Sequence, residues 1–246
     1  GSLSDSILVG EYKPQRPFKY FEPKASRTQR TKTVLSIEDA LVYQAIGNMA
    51  GFLAYDLLAE AEAHVFGSRL HPEVALGEAL LDDEDAQFYF FQFYVPLHNE
   101  FTRSVNKEIT DTEVQFKLET DITGFFDAIP HSKMALTLGR LGIEGPVLDI
   151  LLKCLNVWSG TKDSPTLGVG IPQGAPTSFL LANLLLTPLD QLVRRNAYTY
   201  YRYMDDIRIY EESEEKLVEA LVLIDAHLKG LALSLNTKKT SIEELT

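Results

Sequence analysis

The sequence predicts an α+β fold in which a few strands share one antiparallel sheet backed by helices. Three observations lead there. Phe116-Lys117-Leu118-Glu119-Thr120-Asp121-Ile122 alternates apolar and polar residues, the period of a strand with one face buried. Two further β-rich runs, Tyr198–Tyr203 and Ile207–Tyr210, flank Met204-Asp205-Asp206 as strands flank a hairpin tip. Around them, apolar residues recur at helical spacing, and strands must share a sheet to hide their apolar faces.

The elements follow in chain order. Residues 1–32 are polar and Pro-spotted, with a short hairpin expected over Lys24–Lys32. Ser36-Ile37-Glu38-Asp39 reads as a helix start, with Ser36 as the cap and acids in the first turn. Leu41, Ala45 and Met49, then Leu53, Leu57 and Ala61, continue the pattern as one or two helices to about His64. The aromatic run Phe88–Val95 is expected in the core or at an interface, because nothing basic is interleaved with it. Pro130 opens a helix to about Leu141, and Pro146–Trp158 forms a second. Gly168–Gly174 is a Gly/Pro-rich turn, and a long apolar helix with a kink at Pro188 runs from about Thr177 to Arg195. Leu217, Ala220, Leu221, Ile224 and Leu228 make an amphipathic helix ended by Gly230, with Leu231–Leu235 a short strand.

The 246 residues are 45% hydrophobic and 24% charged, ordinary for a globular protein. No apolar run reaches the ~18–20 residues that span a bilayer, so no membrane partner is expected. Cys154 is the sole cysteine, which excludes an internal disulfide and fits a reducing cytoplasm. The net charge of −12 argues against a uniformly basic nucleic-acid binder. Its distribution is uneven: residues 13–32 hold Lys13, Arg16, Lys19, Lys24, Arg27, Arg30 and Lys32 against the single acid Glu22. A solvated loop is the bland interpretation of that arm; nucleic acid or nucleotide phosphate is the partner such a charge density suits.

The carboxylates carry the chemistry. An Asp-Asp pair alone is common turn chemistry. Here Asp205-Asp206 sits between two β-rich runs, and the expected sheet brings its tip near Asp121. Carboxylates gathered beside apolar strands are costly unless a cation neutralises them. Magnesium favours few carboxylates, several waters and substrate phosphate oxygens. Two such ions roughly 3.5–4 Å apart clamp the attacking and leaving oxygens of an in-line phosphoryl transfer.

Four segments in order resemble the motifs of reverse transcriptases. Thr120-Asp121-Ile122-Thr123-Gly124-Phe125-Phe126-Asp127 resembles motif A. Gly170-Ile171-Pro172-Gln173-Gly174-Ala175-Pro176-Thr177-Ser178, running on to Leu181-Ala182-Asn183 and Leu189-Asp190, resembles motif B. Tyr203-Met204-Asp205-Asp206, preceded by an Arg202-Tyr203 pair frequent in bacterial members, resembles motif C. Gly230-Leu231, Leu235-Asn236 and Lys239-Thr240 resemble motif D. The resemblance extends from about residue 20 to the C-terminus and is strongest from Phe116 onward. It is closest to the group II intron, retron and phage-defence enzymes of bacteria.

That resemblance implies the fingers and palm of a right-hand polymerase, an RNA-directed DNA polymerase using two Mg²⁺ ions, with Mn²⁺ as a substitute. Its partners would be an RNA template, a nucleic-acid primer and dNTPs, with a structured RNA or a second copy as further candidates. Fingers would span 1–114 and 130–172, palm 115–129 and 173–246, with the thumb absent. Asp121 and Asp205 would bind both metals, Asp206 beside them, and the Ile122 carbonyl would add a ligand. Phe126 would be the steric gate excluding a ribose 2′-OH; the alternative for it is a core aromatic. Gln173 and Gly174 would touch the incoming nucleotide and its templating base. Lys24 and Arg30, with Arg27 as a third candidate, would grip the triphosphate. Lys239 would protonate the leaving pyrophosphate, with plain surface lysine as its alternative. Asp127 and Asn183 read as structural. Met204 departs from the Ala usual in intron and retron enzymes. A rival function is an RNA-binding scaffold or regulatory module of an intron or defence system with little polymerisation of its own.

Overall fold

The computed structural model describes residues 2–23, 29–75, 90–110, 113–160 and 166–245. The chain forms two compact units, residues 1–50 with 126–181 and residues 51–125 with 182–246.

The first unit holds the short α1 (Leu3–Leu8), the hairpin of β1 (Phe18–Pro23) and β2 (Gln29–Val34), and the beginning of α2 (Ile37–Ala59). It also holds most of α4 (Phe125–Ala128), α5 (His131–Gly139), α6 (Gly145–Trp158) and the first turns of α7 (Pro176–Arg195). Ser36 caps α2 as expected, its hydroxyl accepting the Asp39 N–H at 3.2 Å. The helix is a single one and stops at Ala59, short of His64. Asp39 is buried and anchors the unit: the Tyr12 hydroxyl (2.6 Å), the Gln15 N–H (2.9 Å) and the Trp158 indole N–H (3.2 Å) all donate to its carboxylate. A buried carboxylate without such donors would be strongly destabilising.

The second unit is built on a four-stranded antiparallel sheet, in the order β4 (Thr199–Tyr203), β5 (Asp206–Glu211), β3 (Phe116–Asp121), β6 (Ser241–Glu244). Register and alternation sort the side chains. Tyr200, Arg202, Ile207, Ile209, Leu118 and Thr120 are cross-strand neighbours and fully or almost fully buried. Complete burial of each Ile or Leu among them contributes roughly 1.5–3 kcal/mol. On the alternate positions Tyr201, Tyr203 and Tyr210 pack with Phe66, Phe101 and Val105. The latter two lie on α3 (Tyr94–Ile109), which packs on β4. Helix α8 (Glu214–Gly230) lies against β3 and β5, with Leu217, Ala220, Ile224 and Leu228 buried as their spacing predicts.

The α+β class, the antiparallel sheet and its helical backing agree with expectation. Four local features depart from expectation in whole or in part. Leu231–Leu235 is not a strand, because Ala232 adopts a left-handed φ of 60° immediately after α8 and only Leu235 bridges, to Ile122. The fourth strand is instead β6, a polar edge whose pairing to β3 is long-range and left no periodic signal. In the aromatic run, residues 88 and 89 lie outside the described residues, Phe90 and Phe91 are half-buried, and Phe93, Tyr94 and Val95 are exposed (64%, 63% and 60%) because they open α3, whose buried stripe is Leu97, Phe101 and Val105. Helix α1 also escaped prediction; it rests on a capping box between Ser2 and Asp5, not on buried apolar residues. Among the described residues no helix is long and apolar enough to cross a membrane.

Candidate active site

At one end of the sheet β3 delivers Asp121 and the β4–β5 hairpin delivers Asp205 and Asp206. Asp121 and Asp206 are cross-strand partners, so both acidic segments meet at the same edge. The turn between the strands places Met204 at φ 57°, a conformation uncommon for a residue with a side chain. Burial, and then the charge of Asp121, push the Asp205 carboxyl above its ordinary range, while Lys239 acts against them. The chain thus holds a carboxylate pair whose mutual repulsion it relieves only in part.

Asn236 and Lys239 complete this edge. The backbone N–H of Asn236 donates to the Asp121 carbonyl (2.7 Å) and its side-chain amide to the Asp121 carboxylate (3.3 Å). The Lys239 ammonium donates to the other oxygen of that carboxylate at 2.6 Å while remaining 62% exposed. Asp206 turns instead toward Arg208, whose guanidinium lies at 3.3 Å and also reaches Glu119 at 3.5 Å. Ile122 is fully buried and bridges to Leu235. Among the described residues no group of three His, Cys, Asp or Glu side chains is disposed to hold a metal. The engagement of Asp206 by Arg208 is consistent with that.

The first unit carries the nucleotide-binding candidates. The Gly168–Gly174 loop is pinned on both sides: His131 N–H donates to the Gly168 carbonyl, Gly170 N–H to Ile129, and Ile171 N–H to Phe126, each at 2.8 Å. The buried His131 ring and the Ser159 hydroxyl both hydrogen-bond the Gly170 carbonyl at 2.6 Å. Burial pushes the His131 imidazole below its ordinary pKa, favouring the neutral ring. On the other side the Thr33 N–H of β2 donates to the Gln173 carbonyl at 2.9 Å. Gly174 follows at φ 128°, where a side chain would be strained. A cavity of about 700 Å³ opens here, lined by Lys32, Thr33, Gln173, Gly174 and the start of α2. The Phe126 ring is 7% exposed and packs edge-to-face on Phe179 at 5.2 Å between centroids.

The basic arm is less free than its composition suggests. Lys19 is buried and donates to the Gly160 carbonyl. Arg30 is the register partner of Glu22 in the hairpin, with their charges 3.9 Å apart, and Lys32 reaches the same carboxylate at 3.6 Å. Lys24 and Arg27 lie outside the described residues.

Asn183 is a satisfied core amide, as expected. It donates to the Gly67 carbonyl at 2.8 Å and accepts from Arg202 at 2.9 Å. What the sequence did not reveal is the company it keeps. Arg202 and Asp190, noted only as members of their motifs, form a buried ion pair at 2.7 Å. A lone Arg inside an otherwise apolar strand face was the available signal, since an unpaired buried cation is untenable.

Comparison with known proteins agrees with this fold. The reverse transcriptase (RNA-dependent DNA polymerase) family profile matches residues 77–245. The chain is 23% identical over 208 residues to protein YkfC of Escherichia coli K12, covering 82% of this chain and 45% of that protein. It is 30% identical over 131 residues to the retron Ec86 reverse transcriptase of Escherichia coli, covering 52% of this chain and 38% of the relative. The chain therefore spans less than half the length of either. Among solved structures, telomerase from Candida albicans in complex with a telomeric RNA fragment superposes with a TM-score of 0.62 at 12% identity, covering 95% of this chain and 42% of the other. At that identity the likeness speaks for the fold, that of the fingers and palm. With the family profile matching well over half of its residues, this chain belongs to the reverse transcriptase family.

Proposed function

We propose that this chain carries the nucleotide-addition centre of an RNA-directed DNA polymerase, extending a primer 3′ end with dNTPs on an RNA template. The observation that carries the reading is the convergence of Asp121 with the Asp205-Asp206 turn, where the charge of Asp121 helps raise the Asp205 carboxyl. An all-oxygen donor set with excess negative charge fits Mg²⁺ or Mn²⁺, which take only one or two carboxylates and complete their shells with water and phosphate. Asp121, Asp205 and the Ile122 carbonyl are the groups that would hold two such ions, with Asp206 beside them. Bound there, the ions would activate the primer hydroxyl and stabilise charge on the transferred phosphoryl group.

The remaining roles belong to the chain itself. Gln173 and Gly174 border the 700 Å³ cavity, where close backbone approach and a polar amide suit a nucleotide and its templating base. Arg30 and Lys32, beside the same loop strand, supply positive charge for the triphosphate once released from Glu22. Lys24 is a further candidate for that grip. Phe126 is the gate against a 2′-hydroxyl. Lys239, exposed and paired with Asp121, is placed on the acidic edge from which it would protonate pyrophosphate.

One observation favours the second reading, a binding scaffold with little polymerisation of its own: Lys239 already supplies a cation to Asp121. Primer extension on an RNA template separates the two. The polymerase reading expects dNTP addition that Asp205→Asn abolishes, and Phe126→Ala should raise ribonucleotide incorporation. RNA binding without extension in the wild-type chain favours the scaffold, and an unchanged dNTP/rNTP ratio in Phe126→Ala rejects the gate.

A further inference from the structure

Two-residue hairpin tips usually place Gly or Asn where φ is positive. Here Met204 holds φ 57° directly before Asp205, so the surrounding structure must over-determine the turn. The hydrogen bonds around Arg202 show how. Its Nη1 donates both to the Met204 carbonyl and to the Asn183 side-chain oxygen, each at 2.9 Å. Its Nε and Nη2 make a two-pronged contact with Asp190, at 2.8 and 2.7 Å. The Tyr200 hydroxyl donates to Asp190 as well, at 2.7 Å. Asn183 in turn donates to the Gly67 carbonyl at 2.8 Å. Gly67 is where the backbone passes closest: a Cβ there would stand 2.8 Å from the Met204 nitrogen and the Met204 Cγ.

Arg202, Asp190 and Asn183 are almost completely buried. Burial alone would push the guanidinium down, but the charge and hydrogen bonds of Asp190 more than offset it, and the group is held above its ordinary value. The cluster is therefore charged and buried, with every Arg202 nitrogen hydrogen-bonded. An apolar set of the same volume would pack at least as well, so packing alone does not account for a guanidinium here. Its distinctive feature is the one donor left over for the Met204 carbonyl.

We propose that Arg202, oriented by Asp190 and Asn183, is a positioning residue that fixes the Met204 carbonyl and so aims Asp205, with Gly67 leaving the room the turn requires. The catalytic consequence rests on the polymerase reading; the structural one does not. A fork of planar donors is essential, because an ammonium cannot reach Asp190, Asn183 and the Met204 carbonyl together.

Amide hydrogen exchange of the metal-free protein and single-turnover extension test this on the same variants. In Arg202→Lys the amides of residues 203–207 should exchange about tenfold faster, the loss of one charge-assisted hydrogen bond, while those of α8 keep their protection. The extension rate constant should fall by a similar factor with the dNTP affinity and active fraction unchanged. If Arg202→Lys does not fold, Asn183→Ala, which leaves the ion pair intact, should show the same local pattern at about threefold. A uniform rise in exchange across the unit, or a lower active fraction with an unchanged rate constant, overturns the proposal and leaves the cluster merely structural. Selective exchange in the turn, in a chain whose wild type extends no primer, upholds the clamp and overturns the polymerase reading.

Discussion

Two charged clusters lie on the same β4–β5 hairpin and have opposite character. Around Arg202 a cation sits among complementary groups, with Asp190 on its fork and Asn183 and the Met204 carbonyl on its remaining donor. Around Asp205 like charges are brought together, and the compensating cation, Lys239, stands 62% exposed to solvent. A buried charge that the chain pairs in full is architecture, since unpairing it would be ruinous. A carboxylate that the chain crowds with another is relieved only in part, and the proposed metal centre rests on that difference.

The comparison can be broken at either end. The largest effect belongs to the paired cluster: Asp190→Ala leaves a buried guanidinium without its counter-ion and should cost about 3–5 kcal/mol in a denaturant titration. A loss comparable to that of a surface change would mean that Arg202 finds water instead. Asp205→Asn should have the opposite sign. Its carboxyl is raised above the ordinary 3.8 by burial and by Asp121, so the native state binds the proton more tightly than the unfolded chain does. Stability is therefore lost as the pH rises from 3.8 through the folded value, and the cost is complete above it. With chelator present, Asp205→Asn should be more stable than the wild type at neutral pH, with the advantage vanishing in acid. A variant less stable at both pH values would contradict the crowding. The smallest effect is expected from Lys239→Met, because an exposed pair contributes at most about 1 kcal/mol; a much larger drop would make Lys239 structural.

The two clusters also mark how far the sequence could be read. The strands of the palm sheet and α8 were legible because each buries one face, and burial writes a period into the residues. Convergence of Asp121 with Asp205 followed once the hairpin and the strand were assigned to one sheet. Leu97, Phe101 and Val105 carry the period of α3 at four-residue spacing, whereas the equally apolar Phe93, Tyr94 and Val95 before them are exposed, a difference that composition does not show. Other features depended on contacts between residues far apart in sequence. Nothing local distinguishes Arg30 from Lys19, although one is exposed in a hairpin ion pair and the other is buried on the Gly160 carbonyl. The pairing of Arg202 with Asp190 and Asn183 likewise joins a strand to a helix, and only the folded chain reveals it.

Manganese titration followed by electron paramagnetic resonance tests the central claim most directly, because free Mn²⁺ is counted whether or not the chain polymerises. The crowded carboxylates should take up Mn²⁺ in the wild type, the uptake should strengthen when dNTP and primer–template are added, and both Asp121→Asn and Asp205→Asn should lose it. Uptake that is the same in all three proteins would place the metal elsewhere and contradict the account.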